Sequence, residues 1–334
     1  MSYEEEIARG LDRAVAGASR GILDLGRAKC VILSDQHKGK RDKADDFLRC
    51  EPAYHAALGY YLEAGYELWT LGDVEELWEC RPAEVIRSYG RTLELEAEFH
   101  RSNRYRRFYG NHDDDWMSDS AVRRWLVPFF GPIEVIECLV LTVKKGTDEL
   151  GTLVLAHGHQ GTRSSDRNRK LSRWVVRNIW RPVQRITGWK LTTPATSFAL
   201  RERHDRAMHA WAARQSRVVL IAGHTHRPVF IPEPGSAELE KRVAGLKGAG
   251  LVEEAATARA ELEWLKVLES EAAPGPVKPC YFNTGCCCFS DGDCTGIEIA
   301  GGEIRLVRWP DDDGRPRRKV LRRASLEDVL DQCE

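Results

Sequence analysis

The chain has 334 residues, 50 of them Lys or Arg and 51 Asp or Glu, and a formal net charge of −1. That length buries a full core as one large α/β domain or as two smaller ones. The balanced charge excludes a chain-wide attraction to polyanions, so any basic patch must be local.

In chain order, the acidic opening MSYEEEIARG lacks the basic and apolar regions of an export signal, and residues 1–28 read as a helical segment. No run approaches the ~20 apolar residues that cross a bilayer. Ten cysteines without an export signal read as reduced thiols, which makes a soluble, cytoplasmic protein the expectation. Three short apolar runs then end in polar clusters: KCVILSDQHKG over 29–39, YELWTLGDVEE over 66–76 and RYRRFYGNHDDD over 104–115. Amphipathic segments near 44–64 and 84–100 separate them. This is a β-α-β alternation, with polar loops gathered at the carboxyl ends of parallel strands. Ligands bind at that edge of open α/β sheets.

From Ile133 the pattern changes. IEVIECLVLTV and LGTLVLA flank the turn KKGTDE as a hairpin. Two related segments follow, LVLAHGHQGT over 153–162 and VVLIAGHTHRP over 218–228, and CTGIEIAGGEIRLVRW is a second hairpin turning at Gly301-Gly302. Residues 29–310 therefore read as one α/β domain of two stacked mixed sheets flanked by helices. Two insertions interrupt it, an Arg- and Trp-rich helical segment at about 160–216 and a helical hairpin at about 236–272. Residues 311–334 read as a loosely attached tail of mixed charge.

The strand-end residues form a set: Asp35, His37, Asp73, Asn111, His112, His157, His224 and His226. Any one alone would more often be an ordinary hydrogen-bonded side chain. Five clusters that each cap an apolar run point instead to shared chemistry. Imidazoles and oxygen donors without thiolates suit divalent ions such as Mn, Fe or Zn. Two cations ~3.5–4 Å apart would clamp a bridging water, lower its pKa towards ~7 and so ready a hydroxide for in-line attack on phosphorus.

SDQHKG, GDVEE, GNHD, AHGH and GHTH resemble, in order, the five motifs of the calcineurin-like metallophosphoesterases. The resemblance spans residues 29–309 outside the insertions. It implies an αββα sandwich and two divalent metal ions, Mn2+ foremost with Fe or Zn as alternatives. The implied reaction is hydrolysis of a phosphomonoester, phosphodiester or pyrophosphate bond. Asp35, His37 and His226 would bind the first metal, Asn111, His157 and His224 the second, and Asp73 would bridge. His112 would be no ligand but a hydrogen-bond donor or acid beside the phosphate. Glu76 would orient it, with Glu75 the competing choice.

GHTHRP, GDVEELWE and the insertion between the fourth and fifth motifs resemble the branch that hydrolyses UDP-2,3-diacylglucosamine in lipid A synthesis. There the insertion forms a cap that receives acyl chains. The chain departs from that branch at His112, where Arg is usual, and His159 falls where the branch often has Asp, which makes it a substrate-facing candidate. Residues 163–190 carry nine basic residues against one acid, on a basic amphipathic helix. Arg163 and Arg167 are the phosphate-contact candidates nearest the motifs. The expected partner is a phosphorylated small-molecule or lipid-linked substrate, and the basic cap adds an anionic membrane as a peripheral contact. Nucleic acid, as for a nuclease of the same superfamily, is less favoured by the net charge. A non-catalytic scaffold is disfavoured because no ligand position is missing.

Leu239, Val243, Leu246, Leu262, Leu265 and Leu268 of the hairpin insertion read as packing within the chain, with a homodimer contact as the alternative. Cys286, Cys287 and Cys288, with Cys294 beyond, fit no standard zinc or iron–sulfur spacing. Consecutive strand residues point to opposite faces, so these cysteines read as buried and inert.

Overall fold

Helix α1 (Tyr3–Ala16) begins at a capping box: the Ser2 hydroxyl accepts the Glu5 N–H, and the Glu5 carboxylate accepts the Ser2 N–H. Its apolar face buries Ile7, Leu11 and Ala14. The computed structural model describes residues 2–161, 198–230, 236–252, 277–311 and 313–334, with 255, 256, 258, 259 and 262 besides. Strand β1 (Ser19–Asp24) pairs in parallel with residues 139–144, so the first 28 residues are not wholly helical. Arg20 and Gly21 in a short run give little strand signal; pairing supplies what local propensity does not.

Strands β2 (Lys29–Leu33), β3 (Glu67–Leu71), β4 (Tyr105–Phe108) and β5 (Val135–Ile136) lie parallel. Between them run α2 (Phe47–Glu63), α3 (Pro82–Ser88), α4 (Gly90–Arg101) and the short α5 (Asp119–Trp125) and α6 (Val127–Phe130). The hairpin of β6 (Cys138–Lys145) and β7 (Asp148–Ala156) follows. Next come α7 (Phe198–Ala213), β8 (Val218–Ala222), β9 (Pro228–Phe230), α8 (Ser236–Gly248) and β10 (Tyr281–Thr284). The chain closes with β11 (Cys294–Ala300), β12 (Glu303–Trp309), β13 (Lys319–Ser325) and α9 (Leu326–Gln332).

The strands form two mixed sheets, ordered β1-β6-β7-β8-β10-β9 and β13-β12-β11-β2-β3-β4-β5. The period-2 alternation of β2 shows how they are covered. Cys30 and Ile32 join a core shared by both sheets with Leu141, Leu155 and Leu220, whereas Val31 and Leu33 join Phe47, Tyr54 and Leu93 under the helices. The protein is an α/β sandwich of two mixed sheets flanked by helices, as the alternation and the hairpins imply.

The tail is not loosely attached. β13 pairs with β12, and α9, capped by Ser325, buries Leu326, Val329 and Leu330. Of the first insertion, only residues 160 and 161 and the stretch from α7 onward are described; residues 162–197, with Arg163, Arg167 and the basic segment, lie outside the described residues. In the second insertion Leu239, Val243 and Leu262 are buried in the main core, while Leu265 and Leu268 lie outside the described residues. Among the described residues no helix is long and apolar enough to cross a membrane.

Candidate metal centre

Each motif sits just beyond the carboxyl end of a strand: Asp35 and His37 after β2, Asp73 after β3, Asn111 after β4, His157 after β7, His224 and His226 after β8. Holding the side chains there bends the backbone. Among the described residues eight non-glycine positions have positive φ, and five of them are Asp35, His37, Asp73, His224 and His226. Such conformations cost ~1–3 kcal/mol each and persist where the surroundings impose them. Two glycines permit the close approach. A Cβ on Gly110 would collide with Asp73 and His157, and one on Gly223 with Ser34 and Asp35.

The donors gather in two trios whose ligand atoms lie within 4.8 Å of one another: Asp35, His37 and His226, then Asp73, His157 and His224. In the first, His226 Nε2 is 3.1 Å from both Asp35 Oδ1 and His37 Nε2. In the second, His157 Nε2 is 3.1 Å from Asp73 Oδ2. The same Asp73 oxygen is 3.7 Å from His37 Nε2, so this carboxylate faces both trios. Outer partners fix which atom points inward. Asp35 Oδ2 accepts the Ser34 hydroxyl and the His224 N–H (3.0 Å), and His157 Nδ1–H donates to the Leu71 carbonyl (2.8 Å). Asn111 Oδ1 is buried and accepts no hydrogen bond from the described residues, while the buried Asp35 Oδ1 and His157 Nε2 have only the close approaches to His226 and Asp73, without well-formed hydrogen-bond geometry. Buried polar atoms left so poorly satisfied are costly unless something fills the space between them.

The electrostatics point the same way. Burial opposes ionisation of Asp35, but His226 and His157 override it and hold the carboxyl far below the usual range. Burial likewise opposes the imidazolium of His157, yet Asp73 and Asp35 raise it to about 9. His226 is raised by Asp35 to about 10 against the same burial cost. A field that draws protons this strongly also draws a divalent cation. His224 is the exception: burial, with His204 and His157 beside it, keeps it well below the ordinary value, as a neutral ligand requires.

His112 stands beside the trios. Its backbone N–H donates to Asp73 Oδ1 (2.8 Å), and its ring Nδ1–H donates to Glu76 (2.8 Å). The Glu76 carboxylate also accepts the Nδ1–H of His37 at 3.0 Å. Burial opposes charge on His112, but Glu76 and Asp73 raise its pKa above the ordinary value. Glu75 has a different environment. It is fully buried with Arg107, Lys38 and the Trp116 indole N–H.

Sequence reasoning missed several supports. Trp78 stacks on His112 with ring centroids 4.7 Å apart, and its indole N–H donates to the Asn111 carbonyl. Asp113 accepts the backbone N–H groups of Gly110 (2.6 Å) and Val74 (2.8 Å), which clamps the third motif to the second. The Asn283 amide donates to the Gly223 carbonyl (2.7 Å) and Thr225 (3.1 Å), which fixes the GHTH turn. The DVEELW and GNHD strings carried the first two signals; the third depends on β10 lying beside β8. A cavity of about 280 Å3 opens beside Asn111, lined by His159, Tyr109, Trp78, Arg13 and Glu137 among others. His159 is thus brought near the trios, its ring 5.5 Å from His157.

No protein-family model and no curated protein matches the chain. Among solved structures it is similar to a conserved uncharacterized protein of Streptococcus pneumoniae TIGR4, a predicted phosphoesterase, at 12% identity and a TM-score of 0.29, over 88% of this chain and 97% of that one.

Proposed function

We propose that the chain is a dimetal-dependent phosphoesterase of the calcineurin-like type, hydrolysing a phosphomonoester, phosphodiester or pyrophosphate of a small or lipid-linked substrate. The reading rests on the donor geometry. Two trios meet at the Asp73 carboxylate, whose Oδ2 is 3.1 Å from His157 Nε2 and 3.7 Å from His37 Nε2, and Asn111 Oδ1 is buried without a hydrogen-bond partner among the described residues. Two divalent cations, Mn2+ foremost with Fe or Zn as alternatives, would supply Lewis acidity that polarises a phosphoryl group and activates water.

The chain's own groups then divide the work. Glu76 orients His37 on one side and His112 on the other. His112, its pKa raised, carries a proton that it can donate to the departing oxygen. Trp78 keeps that ring in plane-to-plane contact. The cavity beside Asn111 receives the group attached to phosphorus, with His159 and Arg13 on its wall. Arg163 and Arg167 are assigned to the phosphate by their place in the sequence alone.

The test is a phosphate-release screen of the Mn2+-loaded chain against aryl phosphodiesters and monoesters, nucleotides, nucleotide-sugars and DNA. Asp73→Ala should abolish turnover, and His112→Ala should lower kcat by roughly 10²–10⁴ without loss of metal. Undiminished hydrolysis in either variant would refute the assignment. Preferential cleavage of DNA would make the protein a nuclease.

A further inference from the structure

β10 ends at Thr284, and Gly285 (φ 75°) turns the chain before the three cysteines, which are therefore not consecutive strand residues. The Cys287 N–H donates to the Asp35 carbonyl (3.2 Å), holding the segment against the first trio. Cys287 itself joins the core under the helices with Cys294. Cys286 and Cys288, two residues apart, both turn to His226: the ligand atoms of the three lie within 4.8 Å of one another. The Cys288 sulfur is 3.6 Å from His226 Nδ1. That is the nitrogen opposite the one facing Asp35. In a tetrahedral zinc site, bonds of ~2.3 Å to sulfur and ~2.0–2.1 Å to nitrogen place those two atoms roughly 3.5 Å apart. Cys286 is 2% exposed and Cys288 partly exposed, so an ion would be walled on one side and open to a fourth ligand on the other.

We propose that Cys286, Cys288 and His226 Nδ1 form a separate cation site for a thiophilic divalent metal such as Zn2+. The oxygen and imidazole trios do not compete for the same ions on equal terms, because two thiolates select softer metals. Binding displaces the protons carried by the two cysteine sulfurs and by His226 Nδ1, and one more leaves the ring when Nε2 is also coordinated; no oxidant or reductant is required. The shared ring links the sites, so an ion on sulfur fixes the orientation of His226 within the first trio.

Cadmium titration of the full chain tests this through the ultraviolet sulfur-to-cadmium charge-transfer band. One equivalent of Cd2+ should develop the band in the wild type. Cys286→Ser/Cys288→Ser should abolish it while the folded chain still takes up Mn2+, and Cys288→Ser alone should weaken it if the double variant does not fold. Absence of the band in the wild type, or its persistence in the folded double variant, would overturn the proposal. A band without phosphoester hydrolysis would leave this site standing and remove the hydrolase reading; hydrolysis without a band would do the reverse.

Discussion

The two trios use the same donor types but are anchored differently. In the trio of Asp73, His157 and His224, the His157 side chain has no exposure and its Nδ1–H is bound to a backbone carbonyl. In the trio of Asp35, His37 and His226, the histidine side chains are 11% and 23% exposed, and their outer nitrogens meet Glu76 and Cys288. A backbone carbonyl cannot be substituted or protonated, whereas a carboxylate and a thiol can be. The first half of the candidate centre is thus held at two histidines by groups that can change, and the second is held at His157 by one that cannot, with its His224 partly exposed and Asp73 facing both halves.

Removing one histidine from each half separates their contributions. His157→Ala and His226→Ala should each retain about one Mn2+ per chain by elemental analysis and lose nearly all turnover, since a two-cation mechanism needs both. His159→Ala, the neighbour on the cavity wall, should keep both ions. Loss of both ions from His226→Ala would show that the halves are not separable.

A smaller effect is expected from Glu76→Gln, which loosens His37 and His112 but touches nothing in the second trio. Activity should fall roughly 10–100-fold, as for other outer partners of metal ligands, and Mn2+ should weaken at one site only. Equal weakening at both sites would remove the distinction.

The smallest effect is a pH trend. In the cation-free protein His157 and His226 titrate at about 9 and about 10, above the ordinary 6.5 of imidazole. The folded chain therefore binds more protons than the unfolded chain between those values. Their stabilising contribution is complete below 6.5 and is lost as pH rises through about 9 to 10. A cation must displace the same protons, so Mn2+ affinity rises across that window while the melting temperature of the chelator-treated protein falls. Melting temperature rising with pH over the same range would contradict the assignment of these two groups.

The site was more legible in the sequence than the fold's margins were. Strand-end donors are announced locally, by an apolar run that stops at SD, GD, GN, AH or GH, and Gly110 and Gly223, which permit close approach, are in the same strings. Asn283 gives no such signal: its partner Gly223 is 60 residues away, brought alongside by the pairing of β10 with β8. Glu75 and Glu76 are indistinguishable in a string, and only burial sends one to Arg107 and the other to His112. β1 and β13 are edge strands with exposed, charged positions, so no alternation marks them and their pairing partners define them. Cys286, Cys287 and Cys294 are buried as their composition implies, but alternation along a strand does not govern the three cysteines, because the strand ends at Thr284 and the chain turns at Gly285.

Mn2+ per chain, counted alongside hydrolysis of an aryl phosphodiester in the wild type and in Asp73→Ala, tests the two-cation reading. Two ions and Mn2+-dependent hydrolysis in the wild type, with both reduced together in the variant, are the predicted result. A wild type that binds no Mn2+, or a variant that hydrolyses the ester as well as the wild type, would contradict it.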